Sequence, residues 1–312
     1  RDTGSGGATD TTRHGTALPE TADEAVRRMA AGEYEAAVTI LGTLLKKDTS
    51  TARLYDLMGQ CMAEVGYCRQ AGDFFRKGLL RDSSNVALLT HAAQTALNCG
   101  YAGEARDHYL ALSHLRPRDM KTLIALARLS IQESDYDGAV TVLRAAVDVD
   151  STSVVAYYLM GSSLAAQKKP EEAIAELNLA LWCQPGYMPA IRDLAWLYYQ
   201  AELYGEATIL YQQGLDLQPT SLAFRIGLAN CLFKRTKYDD ALPLYRQAEA
   251  EPYLETSVYQ QGLCYYYLGK YDTAKTCLRR ALLIDTANIG AHYNLGLTLM
   301  DLEDYPEAVR SF

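Results

Sequence analysis

The side chains able to do chemistry are scattered along this chain and do not form a recognisable centre. The five histidines are His14, His91, His108, His114 and His292. Metal sites need spacings such as His-Glu-x-x-His or closely paired Cys and His, and none occurs. His108 and His114 stand six residues apart, a poor spacing for sharing one helical face. The seven cysteines, Cys61, Cys68, Cys99, Cys183, Cys231, Cys264 and Cys277, are odd in number, lack a Cys-x-x-Cys and show no framework spacing. Gly4-Ser-Gly-Gly belongs to a polar tail, and no Gly-x-x-x-x-Gly-Lys or Gly-x-Ser-x-Gly follows. The acid pairs Glu171–Glu172 and Asp239–Asp240 fall where helices should begin, and carboxylates there favour the helix dipole. The residues therefore predict no catalytic group, no metal and no cofactor.

Composition narrows the class further. With 49% apolar and 22% charged residues, the 312-residue chain is of the folded rather than the disordered type. Its formal charge of −8 disfavours nucleic acid or anionic lipid as partner. No apolar run approaches the roughly 18 residues needed to cross a bilayer. Residues 1–17 form a flexible Gly/Ser/Thr-rich tail, compatible with a trimmed chain or with a processed chain carrying a tether. Cys61, Cys231 and Cys264 read as small buried apolar residues, a usage that favours a reducing compartment. The two signals conflict, so cytoplasmic and extracytoplasmic locations both stay open.

The elements that must position any site are metered by alanine. Ala37, Ala71, Ala105, Ala139, Ala173, Ala207, Ala241, Ala274 and Ala308 are separated by 34 residues, except for one gap of 33. A period of this length signals stacked supersecondary units. In the unit Val86–Asp119, apolar residues at helical spacing run to Cys99, Gly100 stops the pattern, and a second helical stretch spans Ala102–Leu115. Each period is thus helix, turn, helix, turn. Two such helices cannot bury their apolar surface alone, so neighbours must stack.

Other columns agree in phase. Twelve residues before each alanine lies Ala25, Gly59, Ala93, Ala127, Gly161, Ala195, Ala229, Gly262 or Gly296. Four residues after it comes a large filler: Leu41, Phe75, Tyr109, Leu143, Leu177, Tyr211, Tyr245, Leu278 or Phe312. Small beside large allows helices to pack at the short end of the ~8–10 Å interaxial range. A bulky replacement at Ala139 or Ala207 should overpack, costing about 1–3 kcal/mol. Three residues before the alanine stand Tyr34, Tyr136, Tyr204, Tyr238, Tyr271 and Tyr305, with Cys68, Ala102 and Pro170 as exceptions.

These offsets resemble the tetratricopeptide repeat over about residues 18–312. The unit-closing proline survives only as Pro117, Pro185 and Pro219. Other units close with Asp48-Thr49, Asp82-Ser83, Asp150-Ser151 or Asp285-Thr286, expected to cap the next helix. The first unit carries Glu24, Arg27 and Arg28 in its opening helix and reads as a polar cap. The 33-residue gap, around Glu251-Pro252-Tyr253, predicts a local kink. The final unit stops at Phe312 within its second helix, which predicts a longer natural chain or a covered end.

The resemblance implies an all-α fold, a right-handed solenoid superhelix of about eight full repeats and a partial ninth. It further implies a concave wall lined by the first helix of each repeat. Transferring the groove-facing positions yields Lys121, Arg128, Tyr158, Ser162, Arg192, Trp196, Tyr199 and Gln200 in the fourth to sixth repeats. The seventh to ninth contribute Ile226, Asn230, Phe233, Tyr259, Leu263, Tyr266 and Tyr293. Aromatic residues and arginine dominate binding hot spots, and Trp196 leads this set. The family's lysine–asparagine carboxylate clamp is absent: the corresponding places hold Asp56, Gln60, Thr90, Gln94, Ile124 and Arg128.

The leading expectation is a non-enzymatic protein-interaction scaffold that holds a peptide or helix of a protein partner in an aromatic-lined groove. A structural module of a cell-envelope lipoprotein, acting through its convex face or its C-terminal end, is the first alternative. End-to-end self-association through the last repeat is a variant of it. The second alternative is the repeat portion of a larger enzyme whose catalytic domain lies outside this chain.

Overall fold

The computed structural model describes residues 21–249 and 254–312. The expected tail 1–17 and the expected kink around Glu251-Pro252-Tyr253 lie outside the described residues. Among the described residues every regular element is an α-helix. The chain divides into two compact units, with the boundary inside one helix after Leu129.

The first unit holds α1 (Ala22–Ala30), α2 (Tyr34–Lys47), α3 (Ala52–Glu64), α4 (Cys68–Leu79), α5 (Val86–Asn98) and α6 (Ala102–Leu115). Helix α7 (Met120–Gln132) contains the boundary. The second unit continues with α8 (Tyr136–Val149), α9 (Val154–Ala166), α10 (Pro170–Cys183), α11 (Met188–Gln200), α12 (Tyr204–Leu217) and α13 (Leu222–Lys234). It ends with α14 (Tyr238–Gln247), α15 (Leu254–Tyr267), α16 (Tyr271–Ile284), α17 (Ile289–Asp301) and α18 (Tyr305–Ser311). Odd-numbered helices are the first of each repeat and even-numbered ones the second. Within each unit, every helix packs on the next in sequence.

The alanine column is the interior of these hairpins. From Ala37 to Ala274 every member is fully buried, and Ala308 nearly so. The fillers lean on the small residues of the paired helix. A methyl added at Gly59 would meet the Phe75 ring at 2.6 Å, and one at Gly161 would meet Leu177 Cγ at 2.8 Å. Gly262 and Leu278 repeat this contact at 2.8 Å. The exposed member is Phe312, which lies on Gly296 yet keeps 59% of its surface. Tyr34, Tyr136, Tyr204, Tyr238, Tyr271 and Tyr305 each open a second helix, as do Cys68, Ala102 and Pro170. Proline is tolerated there because the first helical N–H has no partner to lose. Helix α1 carries Glu24 bonded to Arg28 at 3.0 Å and paired with Arg27 at 3.3 Å, giving it a charged outer side.

Three-residue turns join the two helices of each repeat, and their middle residue is left-handed. Gly32, Gly66, Gly100 and Gly269 take this place, but so do Ser134, Lys168, Glu202, Thr236 and Glu303, all near φ 60°. At Gly100 the bonds are those of a Schellman stop: Tyr101 N–H donates to Ala96 O at 2.8 Å and Gly100 N–H to Leu97 O at 3.1 Å. Lys169 and Lys168 repeat them on Leu164 O and Ala165 O, each at 3.0 Å. A side chain in this region costs about 1–2 kcal/mol, and glycine recovers that strain less the extra freedom it gains on unfolding. Lys168→Gly is therefore expected to stabilise the protein by about 1 kcal/mol, read as a raised urea midpoint. A lowered midpoint would show that the lysine side chain compensates the strain.

The unit-closing aspartates do something other than cap the next helix. Asp48 accepts from the Ser50 and Thr51 hydroxyls at 2.6 Å each and from Ser50 N–H at 2.7 Å, and these bonds hold its carboxyl pKa at about 2. Asp82, Asp150 and Asp285 accept from the backbone N–H two residues on, at 3.2, 2.9 and 2.9 Å. The helix N-caps are Asn85, Ser153 and Asn288, each bonding the N–H three residues ahead. The aspartate closes an Asx turn across the loop because four to six residues separate the helices, too far for it to reach the next first turn. On either side of residues 250–253, Ser257 Oγ donates to Ala248 O at 3.1 Å, Gln261 donates to Glu249 at 2.7 Å, and Arg280 pairs with the same carboxylate.

Cysteine usage also departs from the sequence reading. Cys68 and Cys99 form a disulfide, with Cα atoms 6.0 Å apart. The bridge ties the start of α4 to the end of α5, turn edges of successive repeats that stacking makes adjacent. Spacing alone hides this because the pairing depends on the stack. Cys61, Cys231 and Cys264 are fully buried, and burial pushes their thiols up to about 11, 12 and 12. Burial also raises the half-buried Cys277. Iodoacetamide is expected to modify Cys183 first and Cys277 more slowly, with the three buried thiols reacting only in denaturant. Mass-spectrometric mapping checks this, and labelling of Cys68 or Cys99 without reductant would contradict the bridge.

Candidate functional site

In the second unit the first helices α11 and α13 leave a cleft of about 610 Å³ between them. Ser221 starts α13 by accepting from Phe224 N–H, and Pro189 sits in the first turn of α11. From α11 come Met188, Pro189, Arg192 and Trp196, and from the opposite wall Ala223 and Phe224. Trp196 is 53% exposed and lines this cleft. One helical turn away, Arg192 Nε donates to Asp193 Oδ1 at 2.8 Å. That hydrogen bond raises the guanidinium pKa and fixes its orientation at the cleft. An indole face and an oriented guanidinium four residues apart can bury an apolar side chain while donating to a carbonyl or carboxylate.

The remaining positions transferred from the family divide by their surroundings. Tyr158 packs edge-on against Tyr187 at 5.4 Å, and burial, followed by the Asp193 charge, raises its phenol. Ser162 is half-buried on α9, and Gln200 is exposed at the end of α11. Tyr199 rests on Tyr204 at 5.4 Å, and Phe233 on Tyr238 at 5.3 Å and Tyr267 at 5.8 Å. Tyr266 touches Tyr267 and Tyr271, and burial with the nearby Asp301 pushes its phenol up to about 12. These three rings pack on the tyrosines that open the second helices, so much of their surface is spent on the repeat itself. Asn230 accepts from the buried Tyr245 hydroxyl at 2.7 Å, and Tyr259 accepts from Asn294 at 3.0 Å. Tyr293 remains 55% exposed beside Phe312.

Two expectations fail. Ile226 and Leu263 keep only 7% and 9% of their surface, and Ile226 packs with Ala229, Ala241 and Tyr245. They belong to the interior because the small residue of each first helix draws its neighbours toward the paired helix. Sequence reasoning missed Met188, Pro189 and Phe224 in the cleft, and Tyr267, which stacks on Tyr238 at 5.0 Å and 12°. An apolar pair opening a helix before Arg192 was the available signal.

Lys121 and Arg128 are exposed on α7 within the first unit. That unit carries its own hollow of about 470 Å³, in which Gln60, His91, Gln94 and Asn98 stand among apolar residues such as Val26, Met29 and Leu57. His91 Nδ1 lies 2.8 Å from Asp56 Oδ1 and 3.0 Å from Gln60 Nε2. The Asp56 hydrogen bond raises the His91 pKa. Among the described residues, no group of three His, Cys, Asp or Glu is placed to hold a metal, and no helix is long and apolar enough to cross a membrane.

Comparison with known proteins fits this geometry. A family model described as tetratricopeptide repeat matches residues 124–187 and 192–254, and a second, described as TPR repeat, matches 262–303. The chain is 22% identical to BBSome complex member BBS4 of Bos taurus over 221 residues, 70% of this chain and 42% of that protein. It is 23% identical to DnaJ homolog subfamily C member 3 of Homo sapiens over 237 residues, covering 70% and 47% of the two chains. It thus spans less than half the length of these relatives. Among solved structures, a tetratricopeptide repeat protein from Parabacteroides merdae superposes with a TM-score of 0.53 at 16% identity, covering 73% of this chain and 91% of that one. YrrB, described as a TPR protein with an unusual peptide-binding site, gives 0.51 at 18% identity over 59% and 95%. These likenesses show the fold, and the family models together span more than half of the 312 residues, so the chain belongs to the tetratricopeptide-repeat family.

Proposed function

We propose that this protein is a non-enzymatic scaffold that binds a peptide or helical segment of a partner protein across the first helices α11 and α13. Repeats of this family support a protein-interaction scaffold in general terms. The observation that carries the finer reading is Trp196, left 53% exposed beside the oriented Arg192 at the mouth of a cleft. The indole buries an apolar side chain of the partner, and the guanidinium donates to its backbone or to a carboxylate. Tyr158, Tyr199, Phe233, Tyr259 and Tyr266 supply flanking contacts rather than anchors, since their rings already pack on neighbours, and the exposed Tyr293 lies on α17, outside the cleft lining. The peptide-binding site of YrrB lends this reading support from a chain of the same fold.

A phage-displayed random peptide library panned on the folded protein tests it. Peptides that bind the wild type and are lost on Trp196→Ala and on Arg192→Ala support the assignment. Peptides that bind both variants as well as the wild type overturn it.

A further inference from the structure

The cysteines of this chain fall into two populations. Cys61, Cys183, Cys231, Cys264 and Cys277 are free thiols, while Cys68 and Cys99 are joined. Oxidising compartments favour bridges throughout, and reducing ones keep few structural bridges intact; those that do form under reducing conditions are usually transient or redox-sensing. One bridge beside five free thiols fits a bond that is made and broken. Its position fits too. Cys68 is the first residue of α4 and Cys99 caps the end of α5, both half-buried at turns that carry the exposed Tyr67 and Tyr101. A small thiol can reach sulfurs at such turns without unfolding a helix, whereas Cys61 is closed inside the repeat.

The bridge also replaces a contact that other repeats make with rings. Six repeats carry tyrosine at the place of Cys68, and where α14 meets α15 Tyr238 stacks on Tyr267 at 5.0 Å. Counted from Ala105 and Ala274, Asn98 stands where Tyr267 does. The turn edge between α4 and α5 therefore has no stacked pair, and the disulfide takes its role. The same joint is held by the buried cluster of Ala71, Phe75, Leu88 and Ala92, and by the hydrogen bonds of His91 to Asp56 and Gln60 between α3 and α5. Gln60 and His91 line the hollow of the first unit, as does Asn98 next to Cys99. Val26, Leu57 and Gln60 come to that hollow from α1 and α3, and His91, Gln94 and Asn98 from α5. A slip at the joint therefore changes its width.

We infer that the Cys68–Cys99 bridge is a reversible redox clasp. Closed, it fixes α5 against α3 and α4 and sets the spacing of the hollow's walls; opened, it lets the third repeat shift against the second. The reductant is a low-molecular-weight thiol. Its thiolate attacks the Cys99 sulfur, and Cys68 leaves as a thiolate, which the positive N-terminal end of α4 favours. A second thiol attacks the mixed disulfide and releases Cys99. Two protein thiols and one small-molecule disulfide result, each protein sulfur taking the proton that an attacking thiol gave up.

Equilibrating the full chain in graded ratios of reduced to oxidised glutathione tests this. Alkylation and mass spectrometry follow the bridge, and hydrogen exchange follows the fold. The bridged peptide should vanish and return as the ratio is raised and lowered. In the reduced form, amides of α3 and α5 should exchange at least tenfold faster, with those of α16 and α17 unchanged. Cys68→Ser combined with Cys99→Ser should match the reduced form at every ratio, and the reduced wild type gives the same comparison should that variant not fold. A bridge absent at every ratio, or one that survives reduced glutathione, would overturn the clasp. So would a bridge that opens only as every helix loses protection, that fails to re-form, or that opens with exchange in α3 and α5 unchanged.

Discussion

Truncating Leu177 to alanine is expected to destabilise the second unit by about 2–5 kcal/mol, the range for deleting a buried leucine. Leu177 is fully buried on α10 and lies on Gly161 of α9, where even one added methyl would sit 2.8 Å from its Cγ. The same methyl would stand 3.1 Å from the Ala173 carbonyl oxygen, so backbone crowds this contact. The helices cannot close readily over a lost side chain, because each is also held by its other neighbour. The cost should fall at the upper part of the range if the cavity stays open. In a repeat array each hairpin leans only on adjacent ones, so the damage should be local before it is global. Hydrogen exchange resolved along the chain should show amides of α9 and α10 losing protection first, with those of α3 and α4 little changed. A loss below about 1 kcal/mol would mean that the site collapses and that the small–large contact is not the source of rigidity.

Replacing Trp196 with alanine should weaken a peptide selected for the α11–α13 cleft by about thirtyfold or more, equivalent to at least about 2 kcal/mol. The indole is half-exposed in the free protein, so its removal leaves the repeat packed while deleting the largest apolar surface of the cleft. Tyr199 and Phe233 make less decisive probes. Truncating either also removes its contact with Tyr204 or Tyr238, mixing loss of affinity with loss of stability. Fluorescence gives an independent readout. With the 75% exposed Trp182 changed to phenylalanine, emission reports Trp196 and should shift to the blue on peptide binding. An unshifted spectrum at saturation, or equal affinity for Trp196→Ala, would place the peptide elsewhere.

The hairpin architecture was legible because it rests on contacts that recur with the period. Ala139, Gly161 and Leu177 announce a close-packed interior in one dimension, and the structure buries all three. Gly100 similarly announces its left-handed turn. Lys168 and Glu202 do not, since nothing in those residue types signals a positive φ; only their phase with Gly100 does. The candidate site was less legible. Counting tyrosines at helical spacing could not separate Trp196, which stays available, from Phe233, which rests against two other rings. Ile226 and Leu263 read as groove residues and proved to be interior.

By itself the sequence determined the period, the paired small and large columns and the family, because each is a repeated local relation between residues at fixed offsets. Tertiary structure alone decided which side chains remain free. It brought Cys68 to Cys99 and turned Asp48 and Asp150 back across their own loops. These outcomes depend on pairs of residues from successive elements, whose identities change from repeat to repeat. Stacking fixes where such pairs meet, and only their shapes and polarity fix whether they bury one another or leave a surface for a partner.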